Sequence, residues 1–218
     1  MNTRAGFNEK LESLRHDILR MGTTVEENLE KAMTALRNND TDLAETVKAE
    51  DKKIDAMKLC IEDKTAGLIA TQSPVARDLR EMVAIFKITA NLERAGDYTA
   101  HLAKAAIKLG GNPAFRLPDQ LECMAGTGQE MIRAAVLAYL SQDAEAARKA
   151  AAMDDIIDRE HKALVEELLR FMKKNPGLVK MAVRILNISG FLERFGDHVT
   201  NICENIIYMV ESKHEELN

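Results

Sequence analysis

The chain contains the stretch Leu92-Glu93-Arg94-Ala95-Gly96-Asp97 and repeats it, with one change, as Leu192-Glu193-Arg194-Phe195-Gly196-Asp197. The two copies lie 100 residues apart in a chain of 218 residues. Each copy holds a Glu and an Asp four positions apart, and on a helix this spacing puts both carboxylates on one face, about one turn apart. The sequence therefore indicates a duplicated unit with a pair of acids in each copy.

The duplication extends well beyond this stretch. Many residues of the first half recur 103 positions later with the same identity, among them these six pairs: Met21 with Met124, Ala32 with Ala135, Asp40 with Asp143, Asp51 with Asp154, Ile54 with Ile157, and Asp55 with Asp158. The offset falls to 100 at the repeated stretch, so the connector before it is three residues shorter in the second half. Two of the six pairs show that each half carries a second acidic pair, again at a spacing of four.

The composition predicts helices almost everywhere. The chain has only 4 Pro and 11 Gly, and its apolar residues between positions 7 and 36 recur at spacings of three and four, which indicates one long helix. A second helix is expected to begin with Asp40 or Thr41 as its N-cap. A third helix, capped by Ser73 or a neighbour and with Pro74 in its first turn, should carry the first copy of the repeated stretch.

Each half is thus expected to form three helices joined by short loops, running up, down and up. A repeat of about 100 residues is longer than the 20–50 residues of a solenoid unit. We therefore predict an all-α protein of two tandem, pseudo-symmetric antiparallel three-helix bundles. The first bundle is assigned to residues 1–112 and the second to residues 113–218.

Charge and composition exclude several classes of protein. The formal net charge of −5 and the pI near 5.6 give no electrostatic basis for binding nucleic acid or an anionic membrane. The cysteines Cys60, Cys123 and Cys203 are odd in number and far apart, which indicates neither disulfides nor a zinc site and fits a reducing cytoplasm. Charges interrupt every hydrophobic stretch, so no signal peptide or membrane span is expected. Any membrane association would come through a partner.

The acidic pairs are predicted to lie near the buried side of their helices. A helical wheel that takes Leu79, Val83 and Phe86 as the buried face of the third helix places Glu93 and Asp97 on that same face. A desolvated carboxylate without a counter-charge costs several kcal/mol. The acids therefore need a cation, and a metal ion with oxygen ligands is one candidate. The predicted ligands are Asp51, Asp55, Glu93, Asp97, Asp154, Asp158, Glu193 and Asp197.

Arginine is the other candidate for the counter-charge, in a purely structural network of ion pairs. Against this alternative, the helical wheel turns Arg94 and Arg194 away from the neighbouring Glu, toward another helix or water. His101 lies on the acidic face and is a possible fifth ligand. Lys104 lies there too, whereas Glu204 occupies the equivalent place in the second half. The second cluster is therefore expected to be richer in oxygen ligands.

Gly96 and Gly196 lie inside helices, where a glycine costs about 1 kcal/mol relative to alanine. Two explanations would account for glycine at these positions. Either a neighbouring helix approaches closely at these positions, or the glycines leave room for a ligand beside Asp97 and Asp197.

These motifs resemble the PhoU family of phosphate-transport regulators. The resemblance covers essentially the whole chain and rests on the duplication, on both copies of the repeated stretch, on Asp51-x-x-x-Asp55 and Asp154-x-x-x-Asp158, and on Ala76-Arg77-Asp78-Leu79-Arg80. It implies two symmetric three-helix bundles that bind metal ions at Glu/Asp-x-x-x-Asp motifs on their surfaces, with Fe, Mn, Zn or Mg as the candidate ions.

The same resemblance implies a cytoplasmic negative regulator of phosphate-starvation signalling. Its partners would be a sensor histidine kinase and the ATP-binding subunit of the phosphate ABC transporter. The chain departs from the family pattern at two places in the first half, where Tyr98 stands opposite His198 and His101 opposite Asn201. The first metal site is therefore expected to differ from the second.

Two other classes of helical protein are alternatives to a metal-binding regulator. A di-iron carboxylate enzyme is also a helical bundle with buried acids, but that class uses a Glu-x-x-His motif on each of two helices, and the sequence holds a single Glu-x-x-His, at Glu211 and His214, outside the acidic pairs. No phosphate-binding glycine loop or paired nucleophile and base is evident either, so we predict that the protein is not an enzyme. The other class is a metal-free helical adaptor that acts through its surface alone. A homodimer is expected from the long amphipathic helices and the family resemblance.

Overall fold

The computed structural model describes residues 3–109 and 116–217 and contains no strand within those ranges. Its helices are α1 (Thr3–Asn38), α2 (Thr41–Gln72), α3 (Arg77–Leu109), α4 (Asp119–Ser141), α5 (Ala144–Ala151), α6 (Asp154–Lys174) and α7 (Val179–Glu211), with a short 3₁₀ turn at Pro176–Leu178. None of the described helices is long and apolar enough to cross a membrane. The all-α prediction is confirmed.

The helices form two bundles that share one hydrophobic core. Helices α1, α2 and α3 pack together in the first bundle, and α4, α5, α6 and α7 in the second. The bundles meet where α3 packs on α7 and α1 packs on α4. Residues 91–100 and 191–200 show the same order of buried, half-buried and exposed positions. Two tandem, pseudo-symmetric bundles are therefore confirmed, and the predicted boundary at residues 112 and 113 lies outside the described residues.

The helix ends follow from local chemistry, with one exception to the prediction. Asp40 is the N-cap of α2, and its side chain accepts a hydrogen bond from the backbone N–H of Leu43 at 2.9 Å. Ser73, predicted to cap α3, instead ends α2: it has a φ of 45°, and its N–H bonds the carbonyl of Ile69. Because Pro74 has no N–H and Ala76 also has a positive φ, α3 begins only at residue 77.

The second half differs from the first in its middle helix. The counterpart of α2 is divided into α5 and α6, with a break at Ala152 and Met153. Asp51 lies well inside α2, whereas the equivalent Asp154 is the first residue of α6. The break therefore changes the surroundings of one predicted metal ligand.

The buried face of α3 is not the one that the helical wheel predicted. Leu79 and Val83 are 40% and 38% exposed, and their counterparts Val179 and Val183 are exposed to a similar extent. The core side of α3 instead carries residues such as Met82, because α3 is covered by α1 and α2 on one side and by α7 on another. The acids of α3 therefore lie half-buried at a flank of the bundle.

A buried carboxylate of the first half forms hydrogen bonds with residues of both halves. Glu81 of α3 is 3% exposed. The guanidinium of Arg15 in α1 donates to both of its carboxylate oxygens, at 2.8 and 2.9 Å, and Gln142 of the second half donates to it at 3.2 Å. A buried carboxylate of this kind depends on its partners, because desolvation is not otherwise offset.

We expect Arg15→Met to lower the free energy of unfolding by about 3 kcal/mol, because it leaves the Glu81 carboxylate buried without its counter-charge. Urea unfolding followed by circular dichroism measures the change. Arg20→Ala is the control: Arg20 is largely exposed and pairs with Asp17 on the same helix, so its loss should cost below about 1 kcal/mol. Equal costs for the two variants would contradict a stabilising role for the buried ion pair between Arg15 and Glu81.

Candidate metal centres

The acidic cluster of the second half is formed by α6 and α7, which pack side by side. Asp154 and Asp158 lie one turn apart at the start of α6, and Glu193 and Asp197 lie one turn apart in the middle of α7. The charges of these four residues influence one another, because each of the other three contributes to the raised pKa of Asp154. The structure thus brings all four predicted ligands of this half into one cluster.

Asp154 is the most deeply buried member, with 4% of its surface exposed. Its Oδ2 atom accepts a hydrogen bond from the hydroxyl of Thr200 at 3.0 Å, whereas its Oδ1 atom is buried and no described residue bonds it. Burial, together with the neighbouring acids, raises the pKa of Asp154 to about 6, while the hydrogen bond from Thr200 opposes the shift. The carboxylate therefore has an unused oxygen in a place where its charge is costly.

Gly196 provides the space for this carboxylate. A Cβ atom at position 196 would overlap Oδ1 of Asp154 and approach the side chain of Ile157 at 3.1 Å. In the first half, a Cβ atom at Gly96 would lie 2.9 Å from Ile54, which is the counterpart of Ile157. Close approach of the neighbouring helix therefore accounts for both glycines, and in the second half the approaching group includes a carboxylate.

Glu193 and Asp197 are half-buried and lie near one cation. Burial raises the pKa of both carboxyl groups, and the neighbouring acids add to the shift while Arg194 opposes it. The guanidinium of Arg194 lies 3.6 Å from Glu193 and 3.5 Å from Asp197. The prediction that Arg194 turns away from these acids is therefore wrong, because the flexible side chain folds back along its own helix.

The first half has an equivalent cluster of Asp51, Asp55, Glu93 and Asp97. Burial raises the pKa of Asp51, and the charges of Asp97 and Asp55 contribute to the shift. The cations are more closely engaged here than in the second half. Glu93 accepts a hydrogen bond from Lys58 of α2 at 3.2 Å.

Arg94 supplies a second cation to the first cluster. Its guanidinium lies 3.2 Å from Asp97 and 3.8 Å from Glu93. As with its counterpart in the second half, the prediction that Arg94 turns away from the acids is wrong. The ion pairs of Arg94 and Lys58 together give the first cluster part of the neutralisation that its acids require.

The surroundings of the two clusters differ in charge, and sequence reasoning missed part of this difference. His161 stands 103 positions after Lys58, so an imidazole replaces the ammonium group that pairs with Glu93. Its Nδ1 atom lies 2.7 Å from the hydroxyl of Ser189, and its charge acts on Glu193. The repeat offset applied to Lys58 would have found it. Thr200 was also missed, because Ala100 stands at the equivalent position.

Within residues 3–109 and 116–217, no three His, Cys, Asp or Glu side chains lie close enough together to hold one ion. The second cluster nevertheless has the donors a hard cation prefers, namely half-buried carboxylates and the unbonded oxygen of Asp154. Asp154, Asp158, Glu193 and Asp197 are its candidate ligands, with His161 at the margin. The first cluster fits an ion less well, because Lys58 already bonds Glu93.

The fold and these clusters define a class: a duplicated helical-bundle protein with a paired-carboxylate cluster in each half. A family model described as the PhoU domain matches the chain twice, at residues 18–106 and 121–206. These two matches contain all eight acids of the clusters. The chain belongs to the PhoU family.

Individual relatives agree with this assignment. A protein of Clostridium acetobutylicum named phosphate-specific transport system accessory protein PhoU homolog is 35% identical over 99% of both chains. The crystal structure of PhoU from Pseudomonas aeruginosa is 34% identical, with a TM-score of 0.89 over 95% of this chain and 100% of that one. That of the PhoU regulatory protein from Streptococcus pneumoniae is 31% identical, with a TM-score of 0.86 over 96% and 99%.

The raised pKa of Asp154 predicts how the stability of the metal-free protein depends on pH. Its native pKa of about 6 exceeds the ordinary value of 3.8, so the native state binds the proton more tightly. This group therefore stabilises the fold fully below about pH 4, and the contribution is lost as pH rises through about 6. We expect the free energy of unfolding in chelator to fall between about pH 5 and pH 7.5, and to fall less in Asp154→Asn.

Asp63→Asn is the control for this experiment, because Asp63 is an exposed acid on α2. It should leave the pH dependence as in the wild type. Urea unfolding at both pH values measures the difference. An Asp154→Asn variant with the full pH dependence of the wild type would show that burial of this carboxyl does not govern it.

Gly196→Ala should lower stability and disturb the second cluster, because the new methyl group occupies the place of the Asp154 carboxylate. Gly190→Ala is a matched control on the same helix, since no atom lies within 4 Å of a Cβ there. The control should gain up to about 1 kcal/mol from the higher helix propensity of alanine. Thermal unfolding compares the two variants. Equal stabilisation of both would contradict the close contact between Gly196 and the Asp154 carboxylate.

Proposed function

We propose that this protein is a regulatory accessory protein of phosphate uptake that acts by binding other proteins and has no catalytic activity. The proposal is supported by the names of its relatives, among them the phosphate-specific transport system accessory protein PhoU of Escherichia coli, which is 31% identical over 95% of this chain. In this role it would restrain phosphate-starvation signalling in the cytoplasm when phosphate is plentiful. Its partners would be a sensor histidine kinase and the ATP-binding subunit of a phosphate ABC transporter.

We further propose that the acidic clusters bind metal ions of the Fe, Mn, Zn or Mg type. The observation that carries this proposal is the buried Oδ1 atom of Asp154, which no described residue bonds. A bound cation would supply the positive charge that the carboxylates lack. The carboxylates come from neighbouring helices, α2 with α3 and α6 with α7, so their ligation would fix the relative position of those helices. The outer surface formed by these helices would then have one shape for a partner to recognise.

Exposed apolar side chains provide candidate contact points for partners. Leu79 and Val83 at the start of α3, and Val179 and Val183 at the start of α7, are each about 40% exposed. The two pairs are equivalent by the 100-residue repeat. Exposed apolar groups of this kind are common at protein interfaces. A homodimer that uses one of them is part of the proposal, and a monomer in light scattering at micromolar concentration would exclude it.

The metal-free adaptor is the second candidate function, and one observation favours it. Arg94 and Arg194 each lie within 4 Å of both acids of their own stretch, and Lys58 bonds Glu93. These ion pairs provide part of the positive charge that the clusters need. In an adaptor of this kind the acids would stabilise the fold, and added metal would alter neither stability nor partner affinity.

Elemental analysis of protein purified without added metal distinguishes the two candidates. We expect wild-type protein to contain a transition metal or Mg, and Glu193→Ala with Asp197→Ala to lose the ion of the second half. In a bacterial strain that lacks its own PhoU gene, the wild type should restore repression of phosphate-starvation genes and the double variant should not. Loss of both properties together would support a regulatory role for the metal.

Asp63→Ala with Glu166→Ala is the matched control, because it removes one exposed Asp and one exposed Glu outside the clusters. It should keep both metal content and repression. If wild-type protein held no metal and metal add-back left its melting temperature unchanged, the metal proposal would be wrong and the adaptor would stand. If the cluster variant lost its metal but still repressed, the metal would have no part in regulation.

A further inference from the structure

A groove lies between α3 and α7 at the end of their contact near the C terminus of α3. It is lined by His101, Lys104 and Lys108 on α3 and by Arg184, Asn187 and Phe191 on α7. The spacings within each set, of three, four or seven residues, place each set on one face of its helix. The two faces enclose a cavity of about 130 Å³.

The cations of this groove outnumber the acids. Its lining residues include Lys104, Lys108 and Arg184 but no Asp or Glu. Within the described parts of the chain, neither Lys108 nor Arg184 has an ion-pair partner. Lys104 lies near enough to Asp51 to act on it, so its charge is shared with the first acidic cluster. Two cations therefore face the cavity without a counter-charge from the described residues.

His101 is held in position by aromatic neighbours. Its ring lies 5.2 Å from that of Phe191 across the groove and meets Tyr98 edge-on at 5.7 Å. Its Nδ1 atom is buried, and no described residue bonds it. A buried polar nitrogen normally has a partner, so this atom represents unused hydrogen-bonding capacity beside the cavity.

The equivalent surface of the other half is different. Glu204 replaces Lys104, Tyr208 replaces Lys108 and Ala84 replaces Arg184. There, Glu204 accepts a hydrogen bond from the backbone N–H of Leu217 at 2.9 Å, and His214 stacks on Tyr208 at 4.3 Å. The residues after α7 thus occupy the equivalent surface and satisfy its polar groups. The duplication produced two related surfaces. In the second, Lys87 stands at the place of Asn187, and its ammonium group lies 5.7 Å from the ring centre of Tyr208.

We propose that this groove, formed by His101, Lys104, Lys108, Arg184 and Asn187, binds a small tetrahedral oxyanion such as inorganic phosphate. The site adjoins the first carboxylate cluster, because the charge of Lys104 acts on Asp51, but it requires neither metal nor a partner protein. It therefore adds to the proposed regulatory function and does not depend on it.

The size and chemistry of the groove define the ligand class. The cavity is far larger than the roughly 10–15 Å³ that one water needs, yet smaller than the roughly 300–1,000 Å³ of pockets for drug-sized ligands, so it suits a small ion and not a nucleotide. Lysine and arginine donate hydrogen bonds only, and Arg184 is suited to contact two oxygens at once. Charge thus selects a dianion, and sulfate should bind as well as phosphate.

Titration calorimetry of the full chain in chelator tests the site with inorganic phosphate as the probe. We expect saturable binding of one phosphate per chain, and competition by sulfate. Lys108→Ala with Arg184→Ala should weaken binding by about tenfold or more, because each removes a charged hydrogen-bond donor. A second variant, Arg184→Glu, places a negative charge in the groove and should abolish binding.

Lys149→Ala with Lys162→Ala is the matched control, because it removes two exposed lysines outside the groove and changes the net charge equally. It should bind phosphate within about twofold of wild type, and the thermal midpoints of all variants should show that they are folded. Saturable binding lost only in the groove variants would establish the site. No saturable binding in the wild type, or equal binding in the groove variants and the control, would overturn the proposal.

Competition with sulfate tests whether the groove recognises the charge of the anion or the proton of phosphate. Competition by sulfate would show recognition of a tetrahedral dianion by donors alone. Phosphate binding that sulfate does not displace would require a hydrogen-bond acceptor for the phosphate proton, such as the amide oxygen of Asn187, and would contradict recognition by charge alone.

Discussion

The packing of α3 against α7 is the constraint on which the rest of the structure depends. Both copies of the repeated stretch lie in these two helices, and their buried glycines, Gly96 and Gly196, allow α2 and α6 to approach closely. Once α3 and α7 are in contact, α2 and α6 can approach only from the outer sides. Each acidic pair is thereby placed against a second acidic pair from the adjoining helix. The groove between His101 and Phe191 is a further consequence, because residues of both central helices line it.

The position of the two acidic clusters destabilises the charged forms of their carboxylates. Burial and mutual repulsion raise the pKa of Asp51, Asp154, Glu193 and Asp197, which means that the ionised forms are disfavoured in the folded protein. Arginines on the same helix offset part of this cost, and a lysine offsets more of it in the first half. The second half has His161 in place of Lys58, so its carboxylates are the less neutralised of the two sets.

The two halves therefore kept one core and acquired different surfaces. Burial follows the same order at residues 91–100 and 191–200, because core positions are constrained by close packing. The residues around the clusters and grooves have no such constraint. Lys58 and His161, or Lys104 and Glu204, occupy equivalent positions with different charge. Duplication supplied two scaffolds of one shape, and substitutions at their margins made one groove cationic and left the other covered by the end of the chain.

The sequence by itself determined the helical class, the duplication, the cap at Asp40 and the identity of the eight acids, because spacing and local capping are properties of neighbouring residues. Only the tertiary structure decided which helix faces are buried. It placed Leu79 and Val83 outside, folded Arg94 and Arg194 back onto their acids, and moved the start of α3 beyond Ser73. The division of the second-half middle helix, which leaves Asp154 at a helix start, was also visible only in three dimensions. Burial and side-chain direction depend on the helices that pack alongside, and those contacts join residues far apart in the sequence.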